Sequence, residues 1–175
     1  MNVADFSIVE VGLSDISLLK DISQKTFLET FSVYNTEENM ATYLRDSLSL
    51  EKLEKEMAQP GSQFYFAKKN ERIIGYLKLN TGAAQNELKE DNALEIERIY
   101  VLSEFHGKGV GQSLYEEAMA IAREKKVEYV WLGVWEHNKR AIAFYGKNGF
   151  EVFDRHFFRL GDDVQTDYMM KKKMN

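Results

Sequence analysis

Hydrophobic and polar positions recur along this chain with two different periods. In residues 14–31, Ile16, Leu19, Ile22, Thr26 and Phe27 fall at intervals of three and four, which predicts one face of an α-helix with Ser14 as its candidate cap. Further helices are predicted over Thr36–Leu44 and Leu50–Ala58, the latter stopped at Gln59-Pro60-Gly61, where the only proline breaks the pattern. The period then shortens. Phe64–Lys68 and Arg72–Leu79 read as paired strands about a turn at 69–71, and Asn80–Asn92 reads as a polar loop. Leu94–Val101 follows as a strand in which Leu94 and Ile96 alternate with Glu95 and Glu97. Gly109–Lys125 returns to helical spacing, with Leu114, Ala118, Ile121 and Ala122 as the buried stripe. Val127–Trp135 is almost continuously apolar, as in a strand covered on both faces. A short helix over Asn138–Lys147 and strands over Phe150–Phe153 and Thr166–Lys172 complete the pattern. Helices interspersed with a central sheet predict an α/β (α+β) fold in one domain spanning 1–175.

Composition narrows the function classes. A chain of 175 residues that is 44% hydrophobic and 29% charged suits one domain with a real core and argues against disorder. No apolar run approaches the roughly 18 residues of a membrane span. Residues 1–12 lack the basic-then-apolar order of a secretory leader. Cysteine is absent, so disulfides, thiolate metal sites and a cysteinyl acyl-enzyme are excluded, and a cytoplasmic location is expected. The formal net charge is −5, with no basic cluster beyond Lys171-Lys172-Lys173, so nucleic acid and membrane are not expected as partners. A carboxylate surplus suits a cationic small molecule instead. His106, His137 and His156 have no metal-ligand spacing, so no metal is expected. Trp131 and Trp135 share one strand face and read as packing residues.

The most informative segment is Leu94–Ala122. A strand ends at Val101, and the turn His106-Gly107-Lys108-Gly109-Val110-Gly111 opens directly into a helix. Glycines admit positive φ and let main-chain N–H groups approach a ligand. Together with the unpaired N–H groups and dipole of the helix start they would attract a pyrophosphate. Two other phosphate motifs fail on the letters. No Gly-Lys-Ser/Thr occurs, which removes the P-loop. After Gly109 and Gly111 the third position of a dinucleotide fingerprint holds Leu114.

This segment resembles the first signature of the GNAT superfamily of N-acetyltransferases, Gln/Arg-x-x-Gly-x-Gly/Ala after the fourth strand. His106 occupies the Gln/Arg position, a departure that leaves the backbone cradle intact. The run Asn138…Ala141-x-x-Phe144-Tyr145-x-x-x-Gly149-Phe150-Glu151 resembles the second signature. The resemblance implies a GNAT-like mixed sheet of about six to seven strands flanked by helices, with acetyl-coenzyme A as co-substrate. It implies that Ile99, Tyr100 and Val101 hold the pantetheine arm. His106, Gly107, Lys108, Gly109, Val110, Gly111 and Gln112 would hold the pyrophosphate. Asn138 would contact the coenzyme, Tyr145 would be the general acid near its sulfur, and Lys147 is a further candidate for the nucleotide phosphates.

An alkylamine attacks a thioester only when neutral, so a base must take its proton. Glu95 and Glu97, two apart on one strand, share a face and would favour a cationic acceptor. GNAT relatives use a glutamate at either position. Glu97 is preferred as base for its nearness to the bulge expected where the substrates meet, with Glu95 as substitute or partner. The runs LEIERIY (94–100) and WLGVWE (131–136), with Gly161-Asp162 and Gln165-Thr166-Asp167, resemble the PaiA-type spermidine/spermine acetyltransferases. That implies a polyamine acceptor, with Glu37, Glu38, Asp162 and Asp163 as an acidic rim, and family habit would add a homodimer. Acetylation of a protein N-terminal or lysyl amine, and acyl-coenzyme A binding without turnover, are the alternatives.

Overall fold

The computed structural model describes residues 5–175. The leader reading of 1–12 rests partly on residues 1–4, which lie outside the described residues. The elements run β1 (Ser7–Glu10), α1 (Ile16–Phe31), α2 (Glu37–Ser47), α3 (Leu50–Ala58), β2 (Ser62–Lys69), β3 (Arg72–Thr81) and β4 (Ala93–Val101). They continue as α4 (Val110–Glu124), β5 (Tyr129–Trp135), α5 (Lys139–Lys147), β6 (Glu151–Leu160) and β7 (Asp163–Lys173). The strands form one seven-stranded sheet in the order β1-β2-β3-β4-β5-β7-β6, and only β4 and β5 run parallel. The mixed, helix-flanked sheet is as the sequence predicts.

Three helices, α2, α3 and α5, start where a short polar side chain can take up a free N–H. Thr36 accepts from Asn39 at 3.1 Å and Ser49 from Lys52 at 3.2 Å. Ser14 does not cap α1. It lies in a 3-10 turn, Leu13–Asp15, and α1 begins after Asp15 without a side-chain cap. The carboxylate of Asp15 accepts from the Gly12 N–H instead, at 3.1 Å.

Helices α1–α3 cover one sheet face, packing Leu19, Ile22 and Leu53 against Phe64, Phe66 and Tyr76. Helix α4 covers the other, where Leu114, Ala118, Ile121 and Ala122 are all buried against Ile74, Leu77 and Leu132. Each buried leucine or isoleucine of this kind contributes about 1.5–3 kcal/mol, and each alanine less. The sequence reading misses β1, a strand of only four residues, too short for its period to show, and ends β6 seven residues early. Strand β6 is one edge of the sheet, and Asp154, Arg155 and His156 interrupt its apolar pattern. No helix among the described residues is long and apolar enough to cross a membrane.

Two irregularities create the site. The register of β3 on β4 pairs Lys78 with Arg98 and Leu79 with Ile96, which leaves Glu97 as the extra residue of a β-bulge. Strands β4 and β5 pair only at Ala93–Tyr129, Leu94–Val130 and Glu95–Trp131. Beyond Glu95 the two strands part, so the β4 edge from Ile96 to Val101 carries main-chain groups with no partner strand on that side.

Candidate active site

The parted strands open onto a cavity of about 460 Å³ lined by Ile99, Tyr100 and Val101 of β4, by the glycine turn, and by α5. In that turn Gly107 and Gly109 have φ of +74° and +84°, and a Cβ on either would meet nothing within 4 Å. Glycine is needed here for the sign of φ, and the space beside the backbone stays open. Gly109 is the N-cap of α4 and supplies no side-chain acceptor, so the first N–H groups of the helix remain available to an anion. An extended chain with a terminal diphosphate fits a bare strand edge that leads to such a turn.

Of the residues assigned to the coenzyme from sequence, Ile99, Tyr100, Val101, His106, Gly107, Gly109, Gly111, Gln112, Asn138 and Tyr145 line this cavity. Three do not. The Lys108 ammonium sits 5.3 Å above the Phe105 ring, Val110 is buried in the core, and Lys147 is exposed at the far end of α5. The cation that does line the cavity is Arg140, in the first turn of α5, which the sequence reading overlooked. His106 donates its Nε2–H to the Val101 carbonyl at 2.7 Å. Burial lowers its pKa, partly opposed by that hydrogen bond and reinforced by Arg140. It is therefore a neutral strut between the turn and the strand end, which explains how the departure from Gln/Arg is accommodated.

A second cavity, of about 340 Å³, lies over the face covered by α1 and α2. The two share Ile99, Tyr100, Asn138, Ala141 and Tyr145, so they meet at the start of α5. Asn138 caps that helix, its Oδ1 accepting from the Ala141 N–H at 3.2 Å. Tyr145 is 5% exposed, and burial alone pushes its phenol well above the usual tyrosine range. It remains a proton donor throughout the working pH range.

The second cavity has aromatic walls, among them Phe27, Tyr43, Trp131 and Trp135, and four carboxylates: Glu87, Glu95, Glu97 and Asp167. Trp131 does more than pack. Its Nε1–H donates to Gln85 at 2.7 Å and pins the loop before β4. Glu97 is fully engaged: Lys78 Nζ at 2.5 Å, Asn80 Nδ2 at 2.6 Å and Arg98 at 3.4 Å. Burial pushes its pKa up, but Arg98, Lys78 and Asn80 together prevail and hold it at about 2. Such a carboxylate is a poor proton acceptor at neutral pH, contrary to its preference as base from sequence. Glu95 is the opposite case, with burial raising its pKa against three hydrogen bonds. Its oxygens accept from Asn80 Nδ2 at 3.0 Å, the Asn86 N–H at 3.0 Å and Asn86 Nδ2 at 2.8 Å.

The sequence motif Gln165-Thr166-Asp167 carries no role for Asp167. It lines the second cavity, and burial raises its pKa to about 6, with His156 opposing and Glu87 assisting. Its Oδ2 would stand 3.3 Å from a Cβ on Gly133, so the glycine in β5 gives the carboxylate its place. A lone glycine in an apolar strand was the available signal. Glu37, Glu38, Asp162 and Asp163 do not line the cavity; they are exposed where the β6–β7 turn meets α2, with the Asp162 N–H 3.4 Å from Asn39 Oδ1.

Comparison with known proteins agrees with this fold. Residues 21–150 match the acetyltransferase (GNAT) family. An uncharacterized N-acetyltransferase of Lactobacillus delbrueckii subsp. lactis is 45% identical over 167 residues, covering 95% of this chain and 96% of that protein. The spermidine N(1)-acetyltransferase of Thermoplasma acidophilum is 27% identical over 168 residues, 94% of each chain. Among solved structures, PaiA N-acetyltransferase from Thermoplasma acidophilum in complex with coenzyme A superposes with a TM-score of 0.80 at 26% identity, covering 97% of this chain and 99% of that one.

Proposed function

Because this chain belongs to the GNAT acetyltransferase family and takes its acetyl group from acetyl-coenzyme A, we propose that its acceptor is a polyamine of the spermidine type, attacked directly at a primary amine. The observation that carries this reading is the second cavity. Four carboxylates line it against two basic side chains, Arg98 and His156, within aromatic walls. A flexible chain of methylenes and ammonium groups matches both features. The similarity to a spermidine N(1)-acetyltransferase supports the same class. We assign the pyrophosphate to the turn at 106–112, the pantetheine arm to the β4 edge, and hydrogen-bond donation to the leaving sulfur to Tyr145. Glu95 and Glu97 shape the field and hold the walls, and we place the reaction in the cytoplasm.

An acetyl-coenzyme A consumption assay with spermidine, spermine, short peptides and no acceptor tests the reading. Turnover is expected with the polyamines alone. Turnover only with peptides points to a protein acetyltransferase, and none with any acceptor overturns the enzymatic reading.

A second test bears on the turn. Gly109→Ala forces a Cβ into left-handed backbone, at a cost of about 1–2 kcal/mol. If the turn relaxes to avoid that strain, acetyl-coenzyme A should bind roughly 5–30-fold more weakly by calorimetry.

A further inference from the structure

We propose that Asp167, a β7 carboxylate leaning over Gly133 into the acceptor cavity, is the group that takes the proton from the acceptor ammonium. This rests on the reading of the second cavity as the amine site. The other acidic candidates are already occupied. Glu97 belongs to an ion cluster with Lys78, Arg98 and Glu56. Glu95 accepts three hydrogen bonds, and Glu87 stands 3.1 Å from His156 Nε2. Among the described residues, no hydrogen bond or ion pair to the Asp167 carboxylate sets its proton affinity; burial does so first, then the fields of His156 and Glu87. It is thus the one carboxylate lining the cavity with neither oxygen in a hydrogen bond or ion pair among the described residues.

Its position is fixed by the sheet. Asp167 is opposite Trp135 on β5 and opposite His156 on β6. Its side chain crosses toward Gly133, next on that face after Trp131, whose partner is Glu95. A bulkier residue at 133 would close this path. The ionisable groups around it are His156 of β6, Glu87 of the loop before β4, Glu95, Glu97, Arg98 and Tyr100 of β4, Tyr76 of β3, Tyr43 of α2 and Tyr145 of α5. Burial holds Tyr43, Tyr76, Tyr100 and Tyr145 above the usual tyrosine range, and Glu97 stays ionised beside Arg98. With a pKa of about 6, Asp167 is ionised at neutral pH yet basic enough to receive a proton.

The reaction balances with this assignment. The ammonium gives one proton to an Asp167 oxygen, and its freed lone pair forms the C–N bond to the thioester carbonyl carbon. The C–S bond breaks and its electron pair leaves on sulfur, which Tyr145 meets with a hydrogen bond. A second N–H proton then passes to the sulfur to give the thiol. Asp167 releases its proton to solvent, so one proton is produced per turnover.

The test is the pH dependence of spermidine acetylation by wild-type protein and by Asp167→Asn. Wild-type kcat/KM should fall on the acid side through about pH 6. Asp167→Asn should lose at least about 100-fold in kcat at pH 7, lack that limb, and recover as pH rises toward the amine's own pKa near 10. Calorimetric binding of acetyl-coenzyme A should be unchanged. A loss confined to KM, or a variant with the wild-type profile, overturns the proposal. Should the variant fail to fold, the wild-type profile decides, and absence of the acid limb overturns it. If spermidine is inert but another amine reacts, the polyamine reading fails and the same profiles measured on that amine still judge Asp167. Wild-type protein that acetylates no amine overturns both.

Discussion

Replacing Glu56 with alanine is expected to cost about 3–5 kcal/mol of folding stability, although Glu56 lies outside the reaction path. Its carboxylate takes both arms of the Arg98 guanidinium, at 2.8 and 3.0 Å, and Lys78 Nζ at 3.1 Å. Lys78, Arg98 and Glu97 are all nearly sequestered, with 5%, 11% and 19% of their side chains exposed. The four charges cancel. Without Glu56 the interior keeps two cations against one anion, and the loss is the desolvation of the unpaired charge more than a missing contact. Urea denaturation should read the loss directly, and adding Lys78→Met should recover part of it by restoring neutrality. The same cluster fixes a pH dependence. Glu97 is held at about 2, below the ordinary carboxylate value near 4.3. Its contribution to stability is therefore complete above about pH 4.3 and lost as pH falls through about 2.

Tyr145→Phe should lower kcat by between about 10² and 10³, with little change in the affinity for acetyl-coenzyme A. The ring is packed against Phe144 and Phe150, with centroids 5.3 and 5.6 Å away, so phenylalanine keeps the packing and removes only the hydroxyl. The phenol sits well above the usual tyrosine range, so in the proposed reaction it would donate a hydrogen bond to the departing sulfur without surrendering its proton outright. Steady-state kinetics at saturating acetyl-coenzyme A separates the outcomes. An unchanged kcat removes Tyr145 from the chemistry. A rise in the coenzyme's KM alone makes it a binding residue.

The parts of the site that depend on local chain geometry were legible in sequence. The glycine turn and the Asn138 cap announce themselves within a dozen residues, because positive φ and helix starts are short-range demands. The pairing of Glu95 and Glu97 on one strand was equally visible. Their roles were not, because each is decided by groups outside β4: Lys78 and Asn80 across the sheet, Asn86 in the loop before β4, and Glu56 from α3. The bulge expected near Glu97 rests on the family resemblance and not on the alternation of β4, because it belongs to the β3–β4 register. Asp167 was harder still. A single acid in a mixed strand carries no local mark, and its significance arises only where β7 passes the small residue at 133. Strand β6 was cut short for a related reason: an outer strand with one solvent-facing edge needs few apolar residues, so its period fades.

The two cavities meet along a shared wall of Ile99, Tyr100, Asn138, Ala141 and Tyr145. Donor and acceptor can therefore be seated together, each in its own berth, so the acetyl group need never be parked on the protein between them. The finished amide can depart by the door its amine entered, whether or not the spent thiol has yet left.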